Sequence, residues 1–208
     1  YNRIGTIWNA SYNAIKSATI VISNIDKATY RSQEERNAVL GTAYFHRAFW
    51  YYMLVHQFGD VPWISGQISE PKLDFYSTKR EAILNQLKKD LEFSAQWVPA
   101  KTQRGKVSKG ACNHLLTKVY LALGEFDKAV ASSTAVINGG YSLMTKRFGE
   151  DKNDPAKNVI WDLHRPLNKV APDNTEEIFS VIDRYGMPDN IKNGMTSMYI
   201  FVPNWGNQ

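Results

Sequence analysis

What most constrains the fold of this sequence is a succession of helical stripes along its first two thirds. Ile4, Ile7, Trp8, Tyr12, Ile15, Ala18, Ile22 and Ile25 recur at steps of three and four, with adjacent pairs, so they share one face of a 3.6-residue period. Such a stripe has to be covered by another element. Ser32 followed by Glu35 is a capping-box pattern, and the run from Glu34 to Phe58 that it opens carries Tyr44, Phe45, Phe49, Trp50, Tyr51, Tyr52 and Phe58. With apolar residues around most of its girth this second helix is predicted to be central, and Gly59, Asp60 and Pro62 stop it. Thr78 with Glu81 repeats the box, and Ile83, Leu84, Leu87, Leu91 and Val98 form the stripe of a third helix that ends before Pro99. Ser108 is placed to cap a fourth helix through Leu123. Gly124 breaks it, and a fifth runs from Phe126 to Asn138 and closes at Gly139-Gly140. Two helices joined by so short a break are expected to lie antiparallel.

After Tyr141 the character changes. Residues 149–176 hold Pro155, Pro166, Pro172 and many Asp, Asn and Lys, which reads as a long loop with a short strand at Val159 to Leu163. Ile178-Phe179-Ser180-Val181-Ile182 has the β-branched and aromatic content of a strand. The last 24 residues combine Gly, Pro and Asn with Tyr185, Tyr199, Phe201 and Trp205, a mixture that suits an exposed recognition loop better than a core element. The expected domains are therefore a helical scaffold over 1–148 and a loop-rich segment with short strands over 149–208.

Composition and motifs exclude several classes of function. Lys and Arg number 25 against 20 Asp and Glu, and this modest, dispersed excess of +5 does not suit dedicated nucleic-acid binding. The longest wholly apolar run, Ala48 to Val55, is far short of the roughly 20 residues a membrane-crossing helix needs. A single cysteine, Cys112, rules out an intrachain disulfide scaffold and reads as a small buried thiol. The four histidines, His46, His56, His114 and His164, show no His-Glu-x-x-His spacing, and no G-x-S-x-G elbow, Walker loop or G-x-G-x-x-G occurs. His46 and His56, ten apart on one helix, read as packed or surface residues. Glu34-Glu35 and Glu176-Glu177 read as cap and surface carboxylates. Lys101, Arg104, Lys106 and Lys109 make the best anion-site candidate, but with only Trp97 nearby they read as a solvated connector. No metal and no cofactor is implied.

Leu116-Thr117-Lys118-Val119-Tyr120, then Gly124-Glu125-Phe126-Asp127-Lys128-Ala129 and Ala135, resembles a tetratricopeptide helix pair, in which Ala129 and Ala135 permit close approach while Tyr120 and Phe126 wedge the turn. A wider resemblance covers nearly the whole chain. The stretch from Gly41-Thr42-Ala43-Tyr44-Phe45-His46-Arg47 through Val55, running into Phe58-Gly59-Asp60-Val61-Pro62, is similar to the signature of the SusD/RagB family of outer-membrane nutrient-binding lipoproteins. Further landmarks follow in order: the stripe of the first helix, Arg80 to Pro99, Gly105 to Ala111, the tetratricopeptide-like pair, Gly140-Tyr141-Ser142-Leu143, and Asn174 to Phe179. Thr42, Thr19 and Lys106 depart from the family's Glu, Asn and Arg.

The resemblance implies a mainly α fold: a tetratricopeptide-like helical scaffold carrying a loop-rich region with short strands. Family members are considerably longer, so it also implies an anchoring cysteine upstream and a large region downstream. It implies non-catalytic capture of an oligosaccharide at the bacterial outer surface and delivery to a SusC-like TonB-dependent transporter. Flat rings beside amide side chains suit sugars, whose C–H face lies on the ring while amides bond the hydroxyls. On composition, Tyr185, Tyr199, Asn204 and Trp205 are the expected ligand contacts; Trp63, after the Phe58–Pro62 stop, either flanks a pocket as a further contact or covers a helix end. The alternative is a tetratricopeptide-type module that binds a peptide. A glycan hydrolase lacks a paired-carboxylate signature.

Overall fold

The computed structural model describes residues 3–180. Among them are six α-helices: α1 (Arg3–Ser23), α2 (Gln33–Phe58), α3 (Arg80–Trp97), α4 (Lys109–Leu123), α5 (Phe126–Ile137) and the short α6 (Val159–His164). Two-residue strands β1 (Val61–Pro62) and β2 (Ser77–Thr78) pair antiparallel. The fold is mainly α and tetratricopeptide-like, as the helical stripes and the family resemblance imply. No helix of the described residues is long and apolar enough to cross a membrane.

The chain divides into two compact units. The first runs through α3 to Thr102 and adds Val107–Gly139; in it each of α1 to α5 packs on the next. Its interior is built from Ile15 of α1, Phe45, Tyr51 and Leu54 of α2, Ile83, Leu87 and Leu91 of α3 and Val119 of α4, all sealed from solvent. The aromatic second helix is central, touching α1, α3 and α4. Its cap forms as the sequence indicates: the Ser32 side chain accepts from the Glu35 N–H, and the Glu35 carboxylate accepts from the Arg31 N–H. Gly41 lets α2 and α3 come close, since a Cβ there would sit 3.2 Å from Val98 Cγ2 and 3.3 Å from Ser94 Cα. Ser108 caps α4 through the Ala111 N–H, and Gly124 ends it in the left-handed region at φ 74°. Cys112 is fully buried, and burial pushes its thiol up to about 12.

Three local expectations in this unit are corrected. Thr78 does not cap α3: it belongs to β2, Lys79 occupies the cap position without a side-chain bond, and Asp60 Oδ1 accepts the Arg80 N–H instead at 2.9 Å. A carboxylate brought in by the chain fold thus replaces the sequence-local hydroxyl. Ala135 and Phe126, expected to pack and wedge this pair, are exposed; Ala129, Ser132 and Val136 form the buried face of α5. Thr117 Oγ1 and Ser132 Oγ lie 2.8 Å apart across that seam, a polar pairing that hydrophobic periodicity does not register.

The second unit joins Gln103–Lys106 to the chain from Gly140. The segment Val159 to Leu163 is helical, not extended, because the Asn158 side chain accepts the Trp161 N–H and starts a turn that outweighs the β preference of Val-Ile-Trp. Residues 178–180 form no strand: the described residues supply no partner edge, and 181 and 182 lie outside them. The hub of this unit is Arg147, which donates to the buried Asp162 carboxylate and to the carbonyls of Asp151, Asp154 and Lys157. Arg104 is no anion receptor: its guanidinium donates to the carbonyls of Asn174 and Glu177 and pairs with the Glu177 carboxylate at 3.3 Å. Glu176 likewise turns inward, accepting the Met144 N–H at 2.8 Å.

Candidate functional site

The α2–α3 connection is the longest break between helices of the first unit, and its residues 63–76 form a loop whose ends meet. The neck is the β1–β2 pair, with Val61 opposite Thr78 and Pro62 opposite Ser77. Such an excursion is an Ω-loop, a form of connection that is often functional. Asp60 braces the neck twice, through the Arg80 N–H and through Lys79 Nζ at 2.9 Å, and these bonds hold its carboxyl below the usual range.

Four side chains anchor the loop and its neck. The Tyr12 and Tyr51 hydroxyls both donate to the Pro62 carbonyl, at 2.9 and 3.2 Å, and Tyr51 also accepts the Ile64 N–H at 2.7 Å. Burial raises both phenols, Tyr51 to about 12, so each keeps its proton at any physiological pH. Further along, Ser23 Oγ accepts the Gln67 N–H at 3.0 Å, and Asn24 Nδ2 donates to Gln67 Oε1.

Between these anchors lies Trp63, half-buried. Its ring sits 4.4 Å from that of Tyr51 at a 33° tilt, and the Arg47 guanidinium lies 5.1 Å from its centroid. Arg47 is itself locked, donating from Nε and Nη2 to the two Asp90 oxygens at 2.8 and 2.9 Å. Both side chains are buried, at 5% and 3% exposure, and Gln86 adds a third donor to Asp90 at 3.0 Å. Burial pushes the Asp90 carboxyl up against the pull of Arg47 and Gln86. Trp63 is thus a ring held in one pose by a phenol, a guanidinium and the loop neck.

The loop encloses an open cavity of about 700 Å³ between Trp63 and Tyr76. Tyr76 is 83% exposed and Phe75 41%, with Gln67, Glu70, Lys72 and Asp74 as polar neighbours. Rings with hydrogen-bonding groups between them can stack on flat C–H surfaces and bond a hydroxyl rim. Among the described residues no group of three His, Cys, Asp or Glu is placed to hold a metal. His46 and His56 do not meet in one site: His46, its pKa lowered by burial, lines an apolar groove between α1 and α2, while His56 stacks on Tyr52. Of the expected ligand contacts, Trp63 lies in this loop, and Tyr185, Tyr199, Asn204 and Trp205 lie outside the described residues. Sequence reasoning missed Phe75 and Tyr76. The available signal was the connector's length, since helix–helix links normally take about 2–8 residues and longer ones tend to be functional.

Residues 1–121 match the SusD-like family described as "starch-binding associating with outer membrane". The chain belongs to the SusD-like family. A SusD-like protein of Formosa agariphila, P2, is 34% identical over 138 residues, which is 65% of this chain and 27% of that protein. A SusD-like protein of Bacteroides fragilis superposes with a TM-score of 0.71 at 22% identity, covering 90% of this chain and 35% of that one. A structure solved with xylogluco-oligosaccharide matches with a TM-score of 0.71 at 20% identity, over 86% of this chain and 35% of that chain. This SusD-like chain therefore spans about a third of the length of its relatives. The match through residue 121 takes in the Arg47–Asp90 pair and the whole 63–76 loop.

Proposed function

We propose that this chain belongs to a non-catalytic glycan-binding protein of the bacterial outer membrane, in which the helices are a stiff mount and the 63–76 loop presents aromatic rings to an oligosaccharide. The observation that carries this reading is Trp63, immobilised between Tyr51 and Arg47 at the edge of a cavity that also holds Phe75 and Tyr76. A ring that is already fixed loses little freedom on stacking, so more of the contact energy remains as affinity. Family membership and the xylogluco-oligosaccharide bound to a relative of the same fold support the ligand class.

In this reading Tyr185, Tyr199, Asn204 and Trp205 add further stacking and amide contacts, a lipid anchor holds the protein at the cell surface, and the captured glycan passes to a SusC-like TonB-dependent transporter. Peptide capture is the competing function. It is favoured by the apolar groove of about 630 Å³ between α1 and α2, lined by Val21, Val39, Ala43 and Trp50.

The test is native gel electrophoresis of the whole protein through gels containing starch, laminarin or xyloglucan. At least one polysaccharide is expected to retard it. Trp63→Ala should weaken that retardation roughly tenfold, about 1.4 kcal/mol. Tyr76→Ala, at a site too exposed to affect folding, should weaken it less. Retardation by none of a broad set of polysaccharides refutes the function, and unchanged retardation of both variants removes the loop from the site.

A further inference from the structure

The 63–76 loop is tied to the helices over only part of its length. The bonds from Tyr12, Tyr51, Ser23 and Asn24 reach no further than Gln67, and the chain re-enters the neck at Ser77. Between these points, among the described residues, Ile68 to Tyr76 makes no hydrogen bond or ion pair with any helix. Its one ion pair, Lys72 Nζ to Asp74 Oδ1 at 3.0 Å, is internal to the stretch.

This untethered stretch bounds a cavity of about 440 Å³ whose other wall is α1. The lining carries charges of both signs. Lys16 of α1 and Glu70 of the loop face the cavity from its two walls, and among the described residues neither side chain has a hydrogen-bond or ion-pair partner. Ile20 of α1 and Ile68 and Phe75 of the loop also line it, 37%, 41% and 41% exposed. Opposite charges and apolar groups stand apart here across open space. Bringing them together would remove apolar area from water and let the charges pair. An exposed ion pair contributes little by itself, and the stretch loses freedom when it docks, so the two positions lie close in free energy. Ile68, Glu70 and Phe75 line the outer cavity beside Trp63 as well. The Phe75 ring therefore serves the outer cavity or the α1 wall, one at a time.

We propose that Ile68–Tyr76 is a strap with two positions. In the open one, seen in the structure, Phe75 is available to a glycan beside Trp63. In the closed one Glu70 pairs with Lys16, and Ile68 and Phe75 pack on Ile20. Closure withdraws Phe75 from the outer cavity, so the strap regulates the glycan site, and bound glycan holds it open because a ligand draws the population toward the state it binds. The inference rests on the glycan-binding reading and adds regulation of that same site.

The experiment places Lys16→Cys and Glu70→Cys together in the whole protein. Both positions are exposed, so folding is not disturbed, and Cys112 is sealed and does not compete. Two cysteines link only when their Cα atoms come within about 7 Å. Mild oxidation should join positions 16 and 70, seen by mass spectrometry as a linked peptide. Oligosaccharides of a polysaccharide that retards the wild type should slow the joining at least threefold. The oxidised protein should be retarded in the polysaccharide gel at least fivefold less than the same protein after reduction with dithiothreitol, while each single variant is retarded equally before and after oxidation. The inference is overturned if no linked peptide forms, if oligosaccharide leaves its rate unchanged, or if oxidised and reduced proteins are retarded alike; with the wild type still retarded, the glycan reading then survives alone. Absence of retardation of the wild type by any polysaccharide removes the reading, and with it the site that the strap regulates.

Discussion

Arg47→Met tests whether the ion pair behind Trp63 governs both stability and the pose of the ring. The substitution leaves the Asp90 carboxylate in a site where it is 3% exposed, with Gln86 as its remaining side-chain donor. Breaking one partner of a buried pair costs about 3–5 kcal/mol. The orphaned acid has an escape, because it can fold protonated. From an ordinary value of 3.8 that costs about 4 kcal/mol at pH 7, at 1.36 kcal/mol per unit, which caps the loss. The sign follows from linkage: a carboxyl whose folded pKa is raised takes up a proton on folding. The variant is therefore most stable, relative to wild type, below about 3.8 and loses ground as pH rises. Because burial already raises the Asp90 carboxyl in the wild type, part of this pH dependence is common to both proteins, so the deficit should be at most about 4 kcal/mol at pH 7 and at most about 1.6 kcal/mol at pH 5. Urea unfolding followed by circular dichroism reads both values from the shift in midpoint. Arg47→Met combined with Asp90→Leu should recover to within about 1.5 kcal/mol of wild type, since an apolar pair of similar volume replaces the charges. Retardation in a polysaccharide gel should stay weakened in that double variant, because Trp63 still lacks its guanidinium. A deficit under about 1 kcal/mol at pH 7, a deficit independent of pH, or simple additivity in the double variant would refute the reasoning.

Gly41→Ala should destabilise the protein by about 1–2 kcal/mol through overpacking against Val98 and Ser94, although helix propensity alone predicts a gain of about 1 kcal/mol, so the sign of the shift in denaturation midpoint decides. Ser108→Ala removes the α4 cap and should cost about 1 kcal/mol, lowering the thermal midpoint by about 2–4 °C. Cys112 should react with a disulfide reagent at pH 8 at least about a thousandfold more slowly than free cysteine, because its thiol is sealed and its pKa is pushed up to about 12. Addition of denaturant should restore the reaction; prompt labelling of the native protein would show that α4 opens.

The sequence by itself determined the five long helices, the caps at Ser32 and Ser108, the stop at Gly124 and the centrality of the aromatic second helix. All of these depend on neighbours within about four residues, through a 3.6-residue period, a hydroxyl reaching the third N–H or a left-handed glycine. Tertiary structure decided the rest. Asp60 displaced Thr78 as the cap of α3 because the β1–β2 neck carries it there. Arg147 and Asn158 bent the Pro-rich segment into turns and a short helix where β-branched residues suggested a strand. Arg104 was claimed by carbonyls some 70 residues away. The candidate site belongs to this second class. Trp63 was legible as an aromatic after a helix stop, but its pose depends on Tyr12, Tyr51, Arg47 and Asp90, contributed by three helices. Spacing along a chain encodes which face of a helix is apolar; it does not encode which distant groups meet, because that is fixed only when the helices pack.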